Sequence, residues 1–398
     1  MTYLCPLDIP MQLANRRTRT MDSLIRRSAP GRVNLLGEHT DYTGGLVLPI
    51  AIQFATTATL TPAYEGYTLV SHREFDRVRY LSVHDRTPAV KNWSDYVVGV
   101  LREFQKLGYT PAPFHISFAG DVPLGSGLSS SASIEVAMAM ALLAHLGVSM
   151  TSPEIARLCR RAENEYVGSP CGIMDQFVSV AARSGHALLL DTDRLDLEHL
   201  PLNAGMLSRT KLIVCNSMVK HSIAAGEYRT RRTQAEEGQG AITALFPEAT
   251  CLGKASLKEL DAVEDIISAD AFRRCHHIIT ENGRVRAARR AMQCGDATSL
   301  GRLMTDSHLS QRDGLECSCD EIDFLVETAL SLPGCYGARL TGGGFGGSMV
   351  SLVAEDEAER FLDQLCEAYR SRYAITADAW ICTATDGAYA LAEDAGAQ

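Results

Sequence analysis

The sequence predicts an α+β chain of two domains. Its 398 residues exceed what one core usually holds. Strand-like and helix-like segments alternate without the regular spacing of βαβ units. A composition of 46% hydrophobic and 22% charged residues reads as an ordinary soluble globular protein.

The first elements are the alternating run Arg32–Leu36 and the apolar, β-branched run Leu46–Ile52, with a turn between them. Strands follow at Phe54–Leu60 and His115–Phe118. A helix from about Ser133 to Leu146 is apolar on nearly every face and therefore buried. The next helix, Ser152–Glu165, opens on SPEI: a serine cap, a proline in the first turn, then an acid. Strand-like runs Ala187–Leu190 and Lys211–Cys215 bracket a boundary at 201–210, which divides the chain into domains 1–205 and 206–398. A polar helix dense in Arg and Glu, Ala224–Gly238, opens the second half, and helical pattern continues through 255–331. Strands Tyr336–Leu340 and Ser348–Val353 flank a glycine loop. Helix Glu355–Arg370 and strand Ala377–Ala384 complete the chain.

A net charge of -10 argues against nucleic acid or an anionic membrane as partner. No run of about eighteen apolar residues is present, so no membrane span is expected. The N-terminus places its basic residues after a weak apolar stretch, the reverse of a signal peptide, so a cytoplasmic protein is expected. The 12 cysteines show no framework spacing and read as reduced thiols. Cys317 and Cys319 form a CxC with no second pair nearby, which disfavours zinc.

Chemistry concentrates in a few segments. APGRVNLLGEHTDYTGG, Ala29–Gly45, packs Arg32, Asn34, Glu38, His39, Asp41 and Tyr42 between small apolar residues. A polyhydroxylated ligand needs such fixed donors and acceptors; a solvated loop does not. DVPLGSGLSSSAS, 121–133, is a glycine-serine turn feeding a buried helix. Gly125 and Gly127 let the backbone approach a ligand, and Ser129, Ser130 and Ser131 can cap the helix or donate hydroxyls. Free N–H groups and the dipole make such a turn an anion cradle; a well-capped core helix is the alternative. It is no Walker loop, because GxxxxGK[ST] is absent. In PCGIMDQF, Asp175 stands in apolar surroundings and needs a partner, a capping role or a function. Trp93 and Tyr96 share a helix face suited to an adenine ring or to core packing. LTGGGFGGS, Leu340–Ser348, requires a backbone that closely approaches something, yet a strand follows it rather than the helix of a dinucleotide loop.

GRVNLLGEHTDY resembles the sugar signature of the galactokinases, a branch of the GHMP small-molecule kinases. PLGSGLSSSA, CGIMDQF, KHSIAAGEYRTRR, DSHLSQRD and GGGFGG resemble further segments of that family in the same order, over roughly Ala29–Thr385. Leu36, Thr43 and Ser348 depart from its commoner residues, and residues 1–25 do not match its usual lead, so Met21 is an alternative start. The resemblance implies the two-domain GHMP kinase fold with the active site in the interdomain cleft, acting as a monomer. It implies transfer of phosphate from ATP to the anomeric hydroxyl of α-D-galactose. Asp175 and Arg32 would be the catalytic pair, Asp175 either as base or as the group that orients the hydroxyl. Glu38, His39, Asp41, Gly172 and Tyr228 would hold the sugar. Gly125, Ser126, Gly127, Leu128, Ser129, Ser130 and Ser131 would hold the triphosphate, with Trp93 and Tyr96 at the base. Ser131 and Glu163 would bind Mg2+. An N-acetylgalactosamine kinase and a non-catalytic galactose/ATP sensor are the alternatives. The retained Ser131-Ala132 pair, with Arg32 and Asp175, weighs against the sensor.

Overall fold

In a computed structural model of the chain, residues 24–72, 77–85, 87–220 and 224–391 are described. The N-terminal segment up to residue 23, with the alternative start at Met21, lies outside them. So do His221 and Ser222 of the KHS motif.

The first half is built on a six-stranded sheet. Its order is Tyr389–Ala390, Ile25–Asn34, Pro49–Pro62, Phe114–Gly120, Tyr67–Ser71, Arg77–Leu81. All pairings are antiparallel except that of Tyr67–Ser71 with Phe114–Gly120. The two strands expected at 46–52 and 54–60 are largely one, because Pro49–Pro62 runs unbroken through the exposed Gln53. The paired strands Tyr67–Ser71 and Arg77–Leu81 are not among those expected above, although both are short alternating runs of β-forming residues. A three-stranded sheet, Leu46–Val47, His186–Asp191 and Leu197–Pro201, lies alongside.

Helix Ser130–Leu146 packs on the large sheet, burying Val136, Ala139 and Leu142 against Phe104, Phe114 and Phe118. Gly147, at φ +69°, ends it in the left-handed conformation that suits glycine. The following helix starts at Ser152, but its cap is Thr151 rather than the serine. Thr151 N–H and hydroxyl both donate to Glu154 at 2.7 Å in a capping box. That helix stops at Arg161 and continues as one π turn, Ala162–Val167.

A four-stranded antiparallel sheet organises the second half, in the order Cys335–Thr341, Gly346–Ala354, Thr210–Lys220, Asp378–Cys382. Helix Ala358–Tyr373 seals one face through Phe361, Leu365 and Tyr369. The polar helix is longer than its composition suggested, Ala224–Leu245. The helical region beyond resolves into Leu257–Asp261, Ala269–Gln293, Ala297–Ser310 and Asp320–Ser331. One core joins the halves: Val33, Leu35, Leu36 and Ile50 pack with Leu212, Val214, Met304 and Val350. No described helix is long and apolar enough to cross a membrane.

Candidate active site

The first strand sets the site. Its pairing shifts register between Pro30 and Arg32. A bulge of this kind re-aims the side chain that follows it. Gly31 makes the bulge possible, since a Cβ there would lie 2.6 Å from Leu128 O of the phosphate loop. Arg32 N–H donates to that same Leu128 O at 3.1 Å. The strand and the loop are thus stitched at Arg32, just past the bulge.

Arg32 is buried and grips Asp175 with two bonds, Nε to Oδ1 and Nη2 to Oδ2, each 2.8 Å. This two-point geometry fixes both groups in one plane. Arg32 Nη1 also donates to Gly127 O, and Ser129 Oγ donates to Asp175 Oδ2. Asp175 lies in the first turn of helix Met174–Ala181 and its carboxylate is 26% exposed. The pair therefore touches strand, phosphate loop and solvent at once.

A cavity of about 410 Å³ opens over this pair. Arg32, Glu38, His39, Asp41, Gly172, Asp175 and Tyr228 all line it, with Gly342 and Gly343 of the glycine-rich loop. Asp41 lies against Gly172: a Cβ there would sit 1.7 Å from Asp41 Oδ2. Burial pushes the Asp41 carboxyl up to about 6, and the Asp175 and Glu38 charges push the same way. His39 is buried at φ +60°. Its Nδ1 is 2.7 Å from the Tyr42 hydroxyl, and its Nε2 has no partner. Burial, then the His277 and Arg231 charges, lower the imidazole to about 3, so the ring is neutral near pH 7. Tyr228 closes the cavity from the second half, 4.8 Å from His39 between ring centroids.

Glu38 is held by Gly342 of the glycine loop singled out above and by Arg339, which sequence reasoning missed. Gly342 N–H donates to Glu38 Oε1 at 3.0 Å, and the fully buried Arg339 lies 3.2 Å from the same oxygen. Burial raises the Glu38 carboxyl despite the opposing pull of Arg339 and Arg32. Behind it, Glu281 accepts from Gly37 N–H at 2.8 Å and pairs with Arg284 at 2.6 Å. Burial opposes ionisation of Glu281, but Arg284 and Arg339 override it and hold the carboxyl at about 2. The available signal was Arg339 itself, a lone cation in an apolar strand. Glu281 gave none, because its helix is charged throughout.

Beside this cavity lies a smaller one of about 210 Å³, lined by Trp93, Tyr96, Phe118, Ser130 and Ser131 among others. Trp93 flanks the helix start and Tyr96 lies within helix Ser94–Lys106. Gly125 and Gly127 adopt φ +69° and +78°. Ser129, at φ +59°, does not cap helix Ser130–Leu146; its hydroxyl is spent on Asp175. With no side-chain cap, the helix leaves its first N–H groups for a ligand. Of the predicted loop residues 125–131, only Ser130 and Ser131 line a cavity; Gly125, Ser126, Gly127, Leu128 and Ser129 line neither. Leu128 packs into the core, and Ser126 O accepts from Ser348 Oγ at 2.6 Å, tying the glycine-rich loop to the phosphate loop.

Glu163, on the π turn, is buried behind Ser131. Gln176 Nε2 bridges it at 2.8 Å to Glu135 at 3.2 Å, and Glu135 Oε1 has no partner. Burial and the Asp175 charge push Glu163 up to about 7, and Glu135 is pushed well above its usual range. Two buried carboxylates side by side are costly unless a proton or a cation intervenes.

Models of the GHMP kinases N terminal domain match residues 95–183, and of the GHMP kinases C terminal 285–371. The galactokinase galactose-binding signature matches residues 22–62. The galactokinase of Bos taurus is 42% identical over 92% of this chain and 91% of its own length. That of Roseiflexus sp. is 37% identical over 93% and 94%. The chain belongs to the galactokinase family. Among solved structures, the galactokinase of Lactococcus lactis complexed with galactose matches with a TM-score of 0.87 at 30% identity, covering 93% of this chain and 96% of that one. A mevalonate kinase matches at 0.63 and 18%, a likeness of fold alone. The larger cavity draws its lining from both halves, Arg32, Glu38 and Asp175 from the first and Tyr228, Gly342 and Gly343 from the second, whereas the smaller is lined from the first half alone.

Proposed function

We propose that this kinase transfers the terminal phosphoryl group of ATP to the anomeric hydroxyl of α-D-galactose, giving α-D-galactose 1-phosphate and ADP. One observation carries the reading. The Arg32–Asp175 pair bonds to the phosphate loop on one side and floors a polar, sugar-sized cavity on the other.

Galactose occupies the larger cavity. Glu38 and Asp41 accept from its hydroxyls, His39 offers Nε2, Tyr228 packs over it, and Gly172 leaves room beside Asp41. The anomeric hydroxyl faces Asp175, which orients it and takes its proton as the new bond to phosphorus forms. Arg32, locked in plane, stabilises charge on the transferring group. The adenine lies between Trp93 and Tyr96, and the triphosphate runs along 125–131 to the open helix start.

The donor set suits magnesium: hard oxygens from Ser131 and Glu163, backed by the unpartnered Glu135 oxygen. Held by Ser131 and Glu163, the ion would neutralise charge on the phosphate oxygens. We place the domain division at 205/206, and read the protein as a cytoplasmic monomer.

The test is coupled ADP release with galactose, N-acetylgalactosamine, glucose and mevalonate offered separately. Turnover is expected with galactose above all. Faster turnover with N-acetylgalactosamine would reassign the sugar, and none with any substrate would sink the reading.

A further inference from the structure

Adjoining the sugar cavity is a second polar recess of about 470 Å³ that none of the roles above uses. Arg157, Arg160 and Arg161 line it, at the spacing that places them on one face of helix Ser152–Arg161. Arg161 is spoken for, donating to Glu103 at 2.6 Å. Arg160 is not: its Nε is buried with no hydrogen-bond partner. A buried guanidinium N–H without an acceptor is costly, and a site of this kind is expected to receive one. Arg157 feels Glu154, but that carboxylate is engaged in the Thr151 capping box. The two acids in the lining have cations of their own: Glu165 pairs with Lys106 and Asp193 with Lys254, each at 2.7 Å. The unmet need of the recess is therefore for negative charge.

The recess shares a wall with the sugar cavity. Asn164, in the lining and on the π turn, accepts from Cys171 N–H at 2.7 Å and donates to Cys171 O at 3.3 Å. Cys171 and Gly172 line the sugar side, and Ile173 lines the recess. The Arg160 charge also reaches Asp41. Single π turns occur frequently at functional sites.

We propose that this recess binds the phosphate group of a small molecule through Arg157 and Arg160, and that its occupancy changes galactose affinity through the Asn164–Cys171 clamp. Guanidinium forks match phosphate oxygens in pairs, which a lysine recess would not do. The coupling rests on the sugar reading given above; the binding does not.

The experiment is isothermal titration of inorganic phosphate, and separately of glucose 6-phosphate, into the full chain saturated with a non-hydrolysable ATP analogue. Saturation with the analogue fills the phosphate loop and removes it as a competing site. Saturable binding of one equivalent is expected, weakened at least tenfold by Arg160→Gln or by the more exposed Arg157→Gln, and only partly restored by Arg160→Lys, which keeps the charge but not the paired contacts. Equal binding of both probes assigns free phosphate; binding of the ester alone assigns a phosphorylated metabolite. No saturable binding, or binding unchanged in both glutamine variants, overturns the site. For the coupling, the probe that binds should shift the galactose KM at least threefold in the parent and not in Arg157→Gln, with kcat unmoved. A KM indifferent to the probe overturns the coupling and leaves the binding result standing.

Discussion

The two cavities solve recognition in opposite ways. The larger is walled by charged and aromatic side chains drawn from four separate stretches of chain. They are held by a buried network, Arg339–Glu38 and Arg284–Glu281, contributed from the second half. The smaller is lined mostly by apolar and aromatic side chains, Trp93, Tyr96, Phe118 and Ile134, and meets the phosphate loop at the open helix start, Ser130 and Ser131. The side that must choose among hydroxyls uses direction-specific groups and secures them with ion pairs. The side proposed to take the nucleotide offers flat apolar walls and, at the open helix start, main-chain N–H groups rather than charged side chains.

That contrast predicts which substitutions damage which side. The largest effect is expected where the two meet. Asp175→Asn should lower kcat by about 10²–10⁴-fold while moving the melting temperature little, because the amide keeps the volume and one bond to Arg32. Steady-state kinetics beside a thermal melt checks this. A kcat within twofold of the parent would remove Asp175 from the chemistry.

Next comes the buried network. Arg339→Met should cost about 3–5 kcal/mol in urea unfolding, since Glu38 and Glu281 lose their shared cation in the interior. Deleting a phosphate-loop hydroxyl with Ser130→Ala should cost about 1 kcal/mol or less by the same measurement. If the two costs were equal, the distinction between a network-built and a backbone-built side would fail.

Gly172→Ala is smaller and sharper. Its Cβ would collide with Asp41, so the galactose KM should rise about tenfold while the KM for ATP stays within twofold. A matched rise in both would mean that the cavities are not separable.

The smallest effect is that of pH. Asp41 holds its proton up to about pH 6, well above an ordinary aspartate. The galactose KM should therefore rise a few-fold between pH 7 and pH 5.5, and Asp41→Asn should flatten the profile. Stability runs the other way. A raised carboxyl pKa favours the folded state at low pH, and that share is lost as pH climbs from about 4 through 6. The Asp41→Asn chain should lack this slope in unfolding measured across that window.

The α+β architecture was legible because its segments announce themselves locally: an apolar helix, β-branched runs, a glycine loop. The polar inventory of Ala29–Gly45 and the oddly placed Asp175 stood out for the same reason, being wrong for the strands and core around them. What stayed hidden is what depends on distance. The Glu281 carboxylate reads as one more charge on a polar helix, and nothing nearby shows that it will meet Gly37 N–H. Glu135 was passed over inside an apolar helix, although a lone acid there was a fair signal. The π turn that turns Glu163 inward leaves no mark in residue spacing, because it adds a residue to a turn that still looks helical. Ser129 looked like a cap and is not one, because Asp175 claims its hydroxyl first.

The strand Tyr389–Ala390 has a consequence for biosynthesis. It pairs with Arg27 and Ser28 on the outer edge of Ile25–Asn34, the strand that carries Arg32. On the ribosome, that edge emerges more than 350 residues before its partner. Until then its N–H and C=O groups are an open template for pairing with another nascent chain. Chains cut short before residue 389 would carry every chemical group of the site and still be the ones most prone to aggregate.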